Sequence, residues 1–307
     1  MSPVAILGGG PGGLTAGLYL SRAGIPCVVF EKMLAGGTLL LTSAVDNYPG
    51  FPDGVSGQEL ADRMRAQMVR FGAAVETGEA TAVHRRDDGI AVSLSDGREI
   101  SSPAVIVATG GSRRKLGVPG EDAFAGKGVS YCAVCDGALF RNRTVAVIGG
   151  GDTALEDACL LARVASRVYL IHRRDTFRAV AHLQKAVKAE PRISPMFSHT
   201  VSEIRGAGRV ELLVLNDLAR QKTVELPVEG VFVSIGLDPN TSFLAGTVEM
   251  TGTGHIVTDE EMATSCPGIF AVGDCRRKPF YQIVTACADG AVAAWSVQRY
   301  LERLSAG

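Results

Sequence analysis

Two short glycine-rich turns, each set between a β-rich run and a helical run, constrain this chain more than any other feature. In the first, "VAIL" (4–7) runs into "GGGPGG" (8–13), after which Leu14 and Leu18 lie one helical turn apart. Gly24 suits the position just past a helix end, with Pro26 shortly beyond, and "CVVFEK" (27–32) reads as a second strand ending near Glu31. The pattern returns as "VAVI" (145–148), "GGGDTA" (149–154), a helical run with Leu155, Cys159 and Ala162 on one face, and "VYLIHRRD" (168–175). Strand, turn, helix and strand make a βαβ unit, so the chain holds two of them. Its 307 residues suffice for two domains, each with its own core.

Each turn fits the dinucleotide fingerprint, with Gly8, Gly10 and Gly13 in one and Gly149, Gly151 and Ala154 in the other. The first glycine permits the tight turn, and the second lets backbone approach a pyrophosphate. The third, or its alanine stand-in, allows close helix packing, while the helix N-terminus attracts the anion. The expected fold class is therefore α/β, with two Rossmann-like dinucleotide-binding domains.

The ends of the second strands separate the two ligands. Glu31 occupies the acidic position that accepts ribose hydroxyls and repels a 2′-phosphate. The same offset in the second unit lands on His172, followed by Arg173 and Arg174, with Arg178 four residues further on. Guanidinium groups bind phosphate through charged, forked hydrogen bonds. The first site thus suits an unphosphorylated adenosine such as that of FAD, and the second suits NADPH. A bound flavin and an exchangeable nicotinamide make a hydride relay.

Composition excludes several alternatives. A formal net charge of −1 gives no basic field for nucleic acid or an anionic membrane. No apolar run approaches the roughly 18 residues of a membrane span, and the N-terminal stretch reads as a strand rather than a signal peptide. Seven cysteines spread over the chain do not form a dense disulfide framework, and a reducing cytoplasm is expected.

Cys132 and Cys135 lie just before the second unit, followed directly by Asp136. Structural zinc would need two more ligands, yet Cys27, Cys159, Cys266, Cys275 and Cys287 are isolated and no closely spaced histidine pair exists, so no metal is expected. Simple packing accounts for the cysteines but not for the aspartate. A redox dithiol accounts for both, because exchange needs a proton delivered to a leaving thiolate and Asp136 is placed to act as that acid.

Over nearly its whole length the chain resembles the low-molecular-weight thioredoxin reductases of bacteria and their FAD-dependent relatives. The resemblance is carried by "GGGPGGLTAGLYLSRAG", "NYPGFP" (47–52), "VIVATGG" (105–111), "YCAVCDGALF" (131–140), "GGGDTALE" (149–156), "HRRDTFRA" (172–179), "GVFVSIGLDPNT" (230–241) and "GIFAVGD" (268–274). It implies a discontinuous FAD domain, residues 1–112 and 245–307, with an NADPH domain carrying the dithiol inserted at 113–244. It implies tightly bound FAD, exchangeable NADPH, a homodimer, and thioredoxin or a thioredoxin-like protein as acceptor. A dithiol oxidase or related flavin disulfide reductase with a different acceptor is the alternative.

The resemblance also implies that the inserted domain rotates, since nicotinamide and dithiol must each reach the flavin. It assigns Pro11, Thr42, Asn47, Gly273, Asp274 and Gln282 to the flavin, and Asp152 and Thr153 to NADPH. The chain departs from the family pattern at Tyr281, where arginine usually precedes Gln282, at Ala288, commonly glycine, and at "GGTL" (36–39), usually Gly-Gly-Gln-Leu.

Overall fold

The computed structural model describes residues 2–42, 45–87 and 89–306. Unit 1 comprises Met1–Ser112 and Asp238–Gly307, and unit 2 comprises Arg113–Leu237. The second crossing thus falls at Leu237/Asp238 rather than at 244/245. Asn240 explains the difference: its amide donates to Thr109 O at 3.0 Å, and its carbonyl accepts from Thr109 Oγ1 at 2.7 Å. These bonds tie the residues after the crossing to the end of the unit's first segment.

In unit 1, the strand Val4–Leu7 alternates faces with a period of two. Val4 and Ile6 enter the cluster with Leu14, Leu20, Val29 and Met68, while Ala5 and Leu7 enter the opposite cluster with Val83, Val92 and Ile256. A strand buried on both sides belongs at the centre of a parallel sheet. The observed order is Ile269–Ala271, Val105–Val107, Val4–Leu7, Cys27–Glu31 and Ala74–Thr77, all parallel. A three-stranded antiparallel sheet, Ala80–Arg86, Gly89–Leu94 and Glu99–Ser102, accompanies it.

Unit 2 repeats this plan. Its sheet runs Ile193–Met196, Arg167–Ile171, Thr144–Ile148, Gly230–Val233 and Val129–Ser130, again all parallel. Val145 and Val147 pack on one face, and Ala146 and Ile148 on the other. A second antiparallel trio, His199–Arg205, Leu212–Asp217 and Lys222–Pro227, completes it. The units differ at one edge. The outer strand of unit 1, Ile269–Ala271, comes last in the chain, whereas Val129–Ser130 of unit 2 precedes the central strand. Because the sheet is parallel, this early strand delivers Cys132 to the carboxyl edge, the edge from which the Gly149–Gly151 turn also leaves.

Local signals set the helix ends. The first helix spans Pro11–Arg22, with proline at its start and Gly24 just past its end at φ +74°. Ser56 caps Gly57–Arg70 by accepting from Glu59 N at 3.1 Å. The third fingerprint glycine is required sterically, since a Cβ on Gly13 would overlap the carbonyl oxygen of Gly8. Among the described residues no helix is long and apolar enough to cross a membrane, the 24-residue Ile283–Ala306 included.

That last helix packs against Pro11–Arg22 at Gly290, where an added Cβ would overlap the Gly12 carbonyl oxygen and lie 3.1 Å from Ala16 N. Gly290→Ala is expected to destabilise the protein by about 1–3 kcal/mol, because overpacking against backbone cannot be relieved by a rotamer change. That expected loss is net of alanine's better helix propensity, about 1 kcal/mol. Gly252→Ala, which meets open space, is the control. Thermal melting checks both, and equal midpoints would refute the packing account.

Candidate active site

In unit 1, the Gly8 turn closes when Gly8 N donates to Phe30 O at 2.8 Å, which brings the end of the second strand beside the turn. There Glu31 Oε2 accepts from Gly9 N at 2.7 Å and Oε1 accepts from Met33 N at 3.2 Å. Each carboxylate oxygen keeps a lone pair for a ribose hydroxyl. Gly10 precedes the helix with extended backbone and no side-chain cap, and nothing lies within 4 Å of where its Cβ would be. The first helical N–H groups therefore face open space that a phosphate can fill. A cavity of about 670 Å³, lined by Gly8, Glu31, Lys32, Thr109, Asn240 and Phe243 among others, adjoins the turn. Its size and mixed lining suit a nucleoside, so these residues fit the adenosine half of FAD.

Distant parts of the chain meet elsewhere in unit 1. Asn47 Nδ2 donates to Gln282 Oε1 at 3.2 Å across 235 positions of sequence. Tyr48, next to Asn47, donates toward Cys287 Sγ at 3.7 Å, and burial pushes its phenol up to about 12. Pro11 opens the first helix. Thr42 Oγ1 donates to Thr38 O at 3.3 Å. The Gly273–Asp274 turn rests on a buried charge network centred on Asp289. Asp289 Oδ2 accepts from Gly273 N at 3.0 Å and pairs with Lys278 Nζ at 3.1 Å, while Oδ1 pairs with Arg276 Nη1 at 3.1 Å. Lys278 also lies 3.8 Å from Asp274 Oδ1. A carboxylate with so many donors is compensated for its burial, and it holds the turn in one geometry.

Sequence reasoning passed over Arg276, Lys278 and Asp289. The signal available was that Asp289 is the one charged residue between Ile283 and Gln298, within an otherwise apolar and small-residue helix. Tyr281 fills the family's arginine position with a ring 5.8 Å from the His255 ring and 5.7 Å from Lys278 Nζ.

In unit 2, the Gly149–Gly151 turn leads into the helix Asp152–Ala162, and the Cβ position of Gly151 is again open. The arginine segment docks onto this turn through two bonds. Arg178 N donates to Gly150 O at 2.8 Å, and Val180 N donates to Asp152 Oδ1 at 2.8 Å. Asp152 thereby positions the arginines, while Arg173, Arg174, Arg178 and Thr153 are exposed beside the turn. His172 is only 5% exposed and packs under Gly150, its Nε2 without a hydrogen-bond partner among the described residues. Burial, reinforced by Arg178 and Arg174, pushes the imidazole down from its ordinary value, so the ring is neutral. A basic rim, a bare glycine turn and a helix N-terminus fit a dinucleotide with a 2′-phosphate.

Cys132 and Cys135 form a disulfide, with Cα atoms 5.3 Å apart. The short helix Ala133–Asp136 begins at Cys132, whose Sγ accepts from Cys135 N at 3.2 Å. A donor on this sulfur favours its thiolate once the disulfide opens. Asp136 lies in the same turn, its N donating to Cys132 O at 3.1 Å and its Oδ2 accepting from Ser130 Oγ at 2.6 Å. Upstream, Glu121 is 2% exposed and accepts from Leu116 N, Gly117 N and Tyr131 Oη at 2.8–2.9 Å. Burial and this carboxylate push the Tyr131 phenol upward. Ser130 and Glu121 both escaped sequence reasoning, since neither sits in a recognisable spacing. Among the described residues no group of three or more His, Cys, Asp or Glu is arranged for a metal.

Comparison with known proteins agrees with this arrangement of turns and disulfide. Residues 2–290 match the pyridine nucleotide-disulphide oxidoreductase family. The chain is 42% identical to a thioredoxin reductase of Treponema pallidum, covering 98% of this chain and 97% of that one. It is 41% identical to a thioredoxin reductase of Streptomyces coelicolor, covering 98% and 94%. The crystal structure of thioredoxin reductase from Streptococcus pyogenes superimposes with a TM-score of 0.93 at 38% identity, covering 99% of each chain. With two dinucleotide turns, a disulfide beside one of them and near full-length likeness to these enzymes, the chain belongs to the pyridine nucleotide-disulphide oxidoreductase family.

Proposed function

We propose that the protein is a thioredoxin-disulfide reductase that carries electrons from NADPH, through FAD held in unit 1 and the Cys132–Cys135 disulfide of unit 2, to the disulfide of thioredoxin or a thioredoxin-like protein. The observation that carries this reading is a closed dithiol pair at the carboxyl edge of a nucleotide-binding sheet, with a carboxylate held in the same turn.

FAD, when bound, supplies two-electron exchange between a nicotinamide hydride and a protein disulfide. The chain's own residues do the rest. Glu31 selects an adenosine without a 2′-phosphate, Gly8, Gly10, Pro11 and Gly13 cradle the pyrophosphate, and Asn47, Thr42, Gly273, Asp274 and Gln282 hold the remainder. In unit 2, Gly149, Gly151 and Thr153 receive the NADPH pyrophosphate. Arg173, Arg174 and Arg178 receive the 2′-phosphate, with His172 packed neutral beneath the turn and Asp152 anchoring the arginine segment.

Once the pair is reduced, the Cys132 thiolate attacks the partner's disulfide. The S–S bond breaks, a mixed disulfide forms, and the leaving partner thiolate takes the proton of Asp136. The Asp136 carboxylate then takes the proton of Cys135, whose thiolate attacks Cys132 Sγ. That step restores the enzyme disulfide and releases the second partner thiolate, which is protonated by water. Val134 and Leu139, 48% and 65% exposed around the pair, support an apolar docking patch for a protein substrate.

Two finer readings accompany this one. The five cysteines outside the pair are free, which supports a reducing cytoplasm. Tyr19 and Trp295, 47% and 49% exposed on the two packed helices of unit 1, support assembly as a homodimer.

Two experiments test the reading. Cys135→Ser is expected to abolish thioredoxin reduction while NADPH still bleaches the flavin anaerobically, and retained thioredoxin reduction would sink the assignment. Replacing Arg173 and Arg174 by alanine is expected to raise KM for NADPH by about tenfold or more per lost charged bond, with KM for NADH little changed. Steady-state kinetics with both nucleotides reads this, and an unchanged NADPH/NADH ratio would remove the arginines from the 2′-phosphate.

A further inference from the structure

We infer that Ser130 is a positioning residue that decides which oxygen of Asp136 carries the exchangeable proton, an inference that rests on the reductase reading above. Ser130 ends the edge strand Val129–Ser130, its Cα opposite Phe232 across the parallel ladder, and its side chain is buried at 6% exposure. A serine hydroxyl has one proton to donate and two lone pairs. One lone pair accepts from Cys132 N at 3.0 Å. The proton has two acceptors in reach, Asp136 Oδ2 at 2.6 Å and Cys132 O at 3.4 Å. The carboxyl oxygen is the closer of the two, so it takes the bond whether or not the other oxygen holds a proton.

This assignment orders the proton chemistry. With Oδ2 receiving the serine proton, the acidic proton of Asp136 belongs on Oδ1. A proton on Oδ2 would face the serine hydrogen and force it to turn to the longer Cys132 O contact. In the first exchange step the partner's S–S bond breaks, and its leaving thiolate takes the proton from Oδ1. In the second, Oδ1 takes the proton of Cys135 as the enzyme disulfide re-forms. Ser130 keeps its own proton throughout and gains or loses no electrons. Its anchorage in the sheet passes a fixed orientation to a carboxyl group that stands in a short turn. The same hydroxyl receives the Cys132 amide, so the backbone of the attacking cysteine and the acid share one reference point.

A purely structural role for Ser130, holding the Cys132 amide alone, makes a different prediction, because it would operate whether or not Asp136 is present. The test is a double-mutant cycle on the FAD-loaded protein. NADPH-prereduced Ser130→Ala, Asp136→Ala and the double variant are mixed with a thioredoxin disulfide, and dithiol reoxidation is followed in a single turnover. Anaerobic flavin bleaching by NADPH serves as the control for folding. Ser130→Ala is expected to slow reoxidation by about tenfold at saturating partner, with the concentration for half-saturation little changed, but to slow the Asp136→Ala protein by less than about twofold. Ser130→Thr, which keeps a hydroxyl, is expected to retain most of the rate. Additive losses in the double variant, an unchanged rate in Ser130→Ala, or a Ser130→Thr protein as slow as Ser130→Ala would each overturn the inference. An Asp136→Ala protein at full rate would overturn it together with the acid role of Asp136. A wild-type protein that bleaches with NADPH but reduces no thioredoxin disulfide would instead overturn the reductase reading.

Discussion

Strand and helix meet at the first glycine turn more closely than a residue with a Cβ would allow. A Cβ on Gly13 would overlap the Gly8 carbonyl, so the helix that follows can start immediately beyond the strand only because that atom is missing. An α-helix leaves its first N–H groups without intrahelical partners, and one that starts here offers them to an anion. The tight turn also brings the end of the next strand alongside, so Glu31 can bond Gly9 N. In unit 2, alanine occupies the corresponding position, and Ala154 Cβ would lie 2.6 Å from a Cβ on Gly149, which must therefore be bare. One packing constraint, met twice, builds two nucleotide sites.

Their chemistry diverges at the strand ends. In unit 1 a carboxylate closes on the turn. In unit 2 the turn is closed by Arg178 N and by the bond from Val180 to Asp152, which dock the arginine-bearing segment against it. His172 lies buried beneath them and stays neutral, because burial and the neighbouring cations oppose its charge. The dithiol reaches the same sheet edge by an out-of-order strand, Val129–Ser130, which puts Cys132, Asp136 and Ser130 in one hydrogen-bonded turn.

Most of this was legible in the sequence wherever the signal is local. A strand, a glycine turn and a helix in succession announce a βαβ unit, and Glu31, Arg173 and Arg174 sit at a readable offset from the turn. The cysteine pair with Asp136 was equally plain. What could not be read depends on long separations or on three-dimensional register. Asn47 meets Gln282 across most of the chain, and Asp289 supports Gly273 from a helix whose pattern otherwise speaks only of packing. Ser130 lies close to Asp136 in sequence, yet its role needs the edge strand to dock in parallel on Gly230–Val233, which no spacing discloses. Asp152 reads as part of a cofactor motif, but one of its oxygens serves the backbone of Val180.

One chain is expected to hold two electron-accepting groups in series, a flavin and the Cys132–Cys135 disulfide. Anaerobic titration with NADPH, with flavin absorbance and alkylatable thiols read at each addition, tests it most directly. About two equivalents per chain are expected to be consumed before excess NADPH persists, each group accepting one electron pair, with new thiols appearing at Cys132 and Cys135. Consumption of a single equivalent, with the flavin bleached and both cysteines still joined, would contradict it.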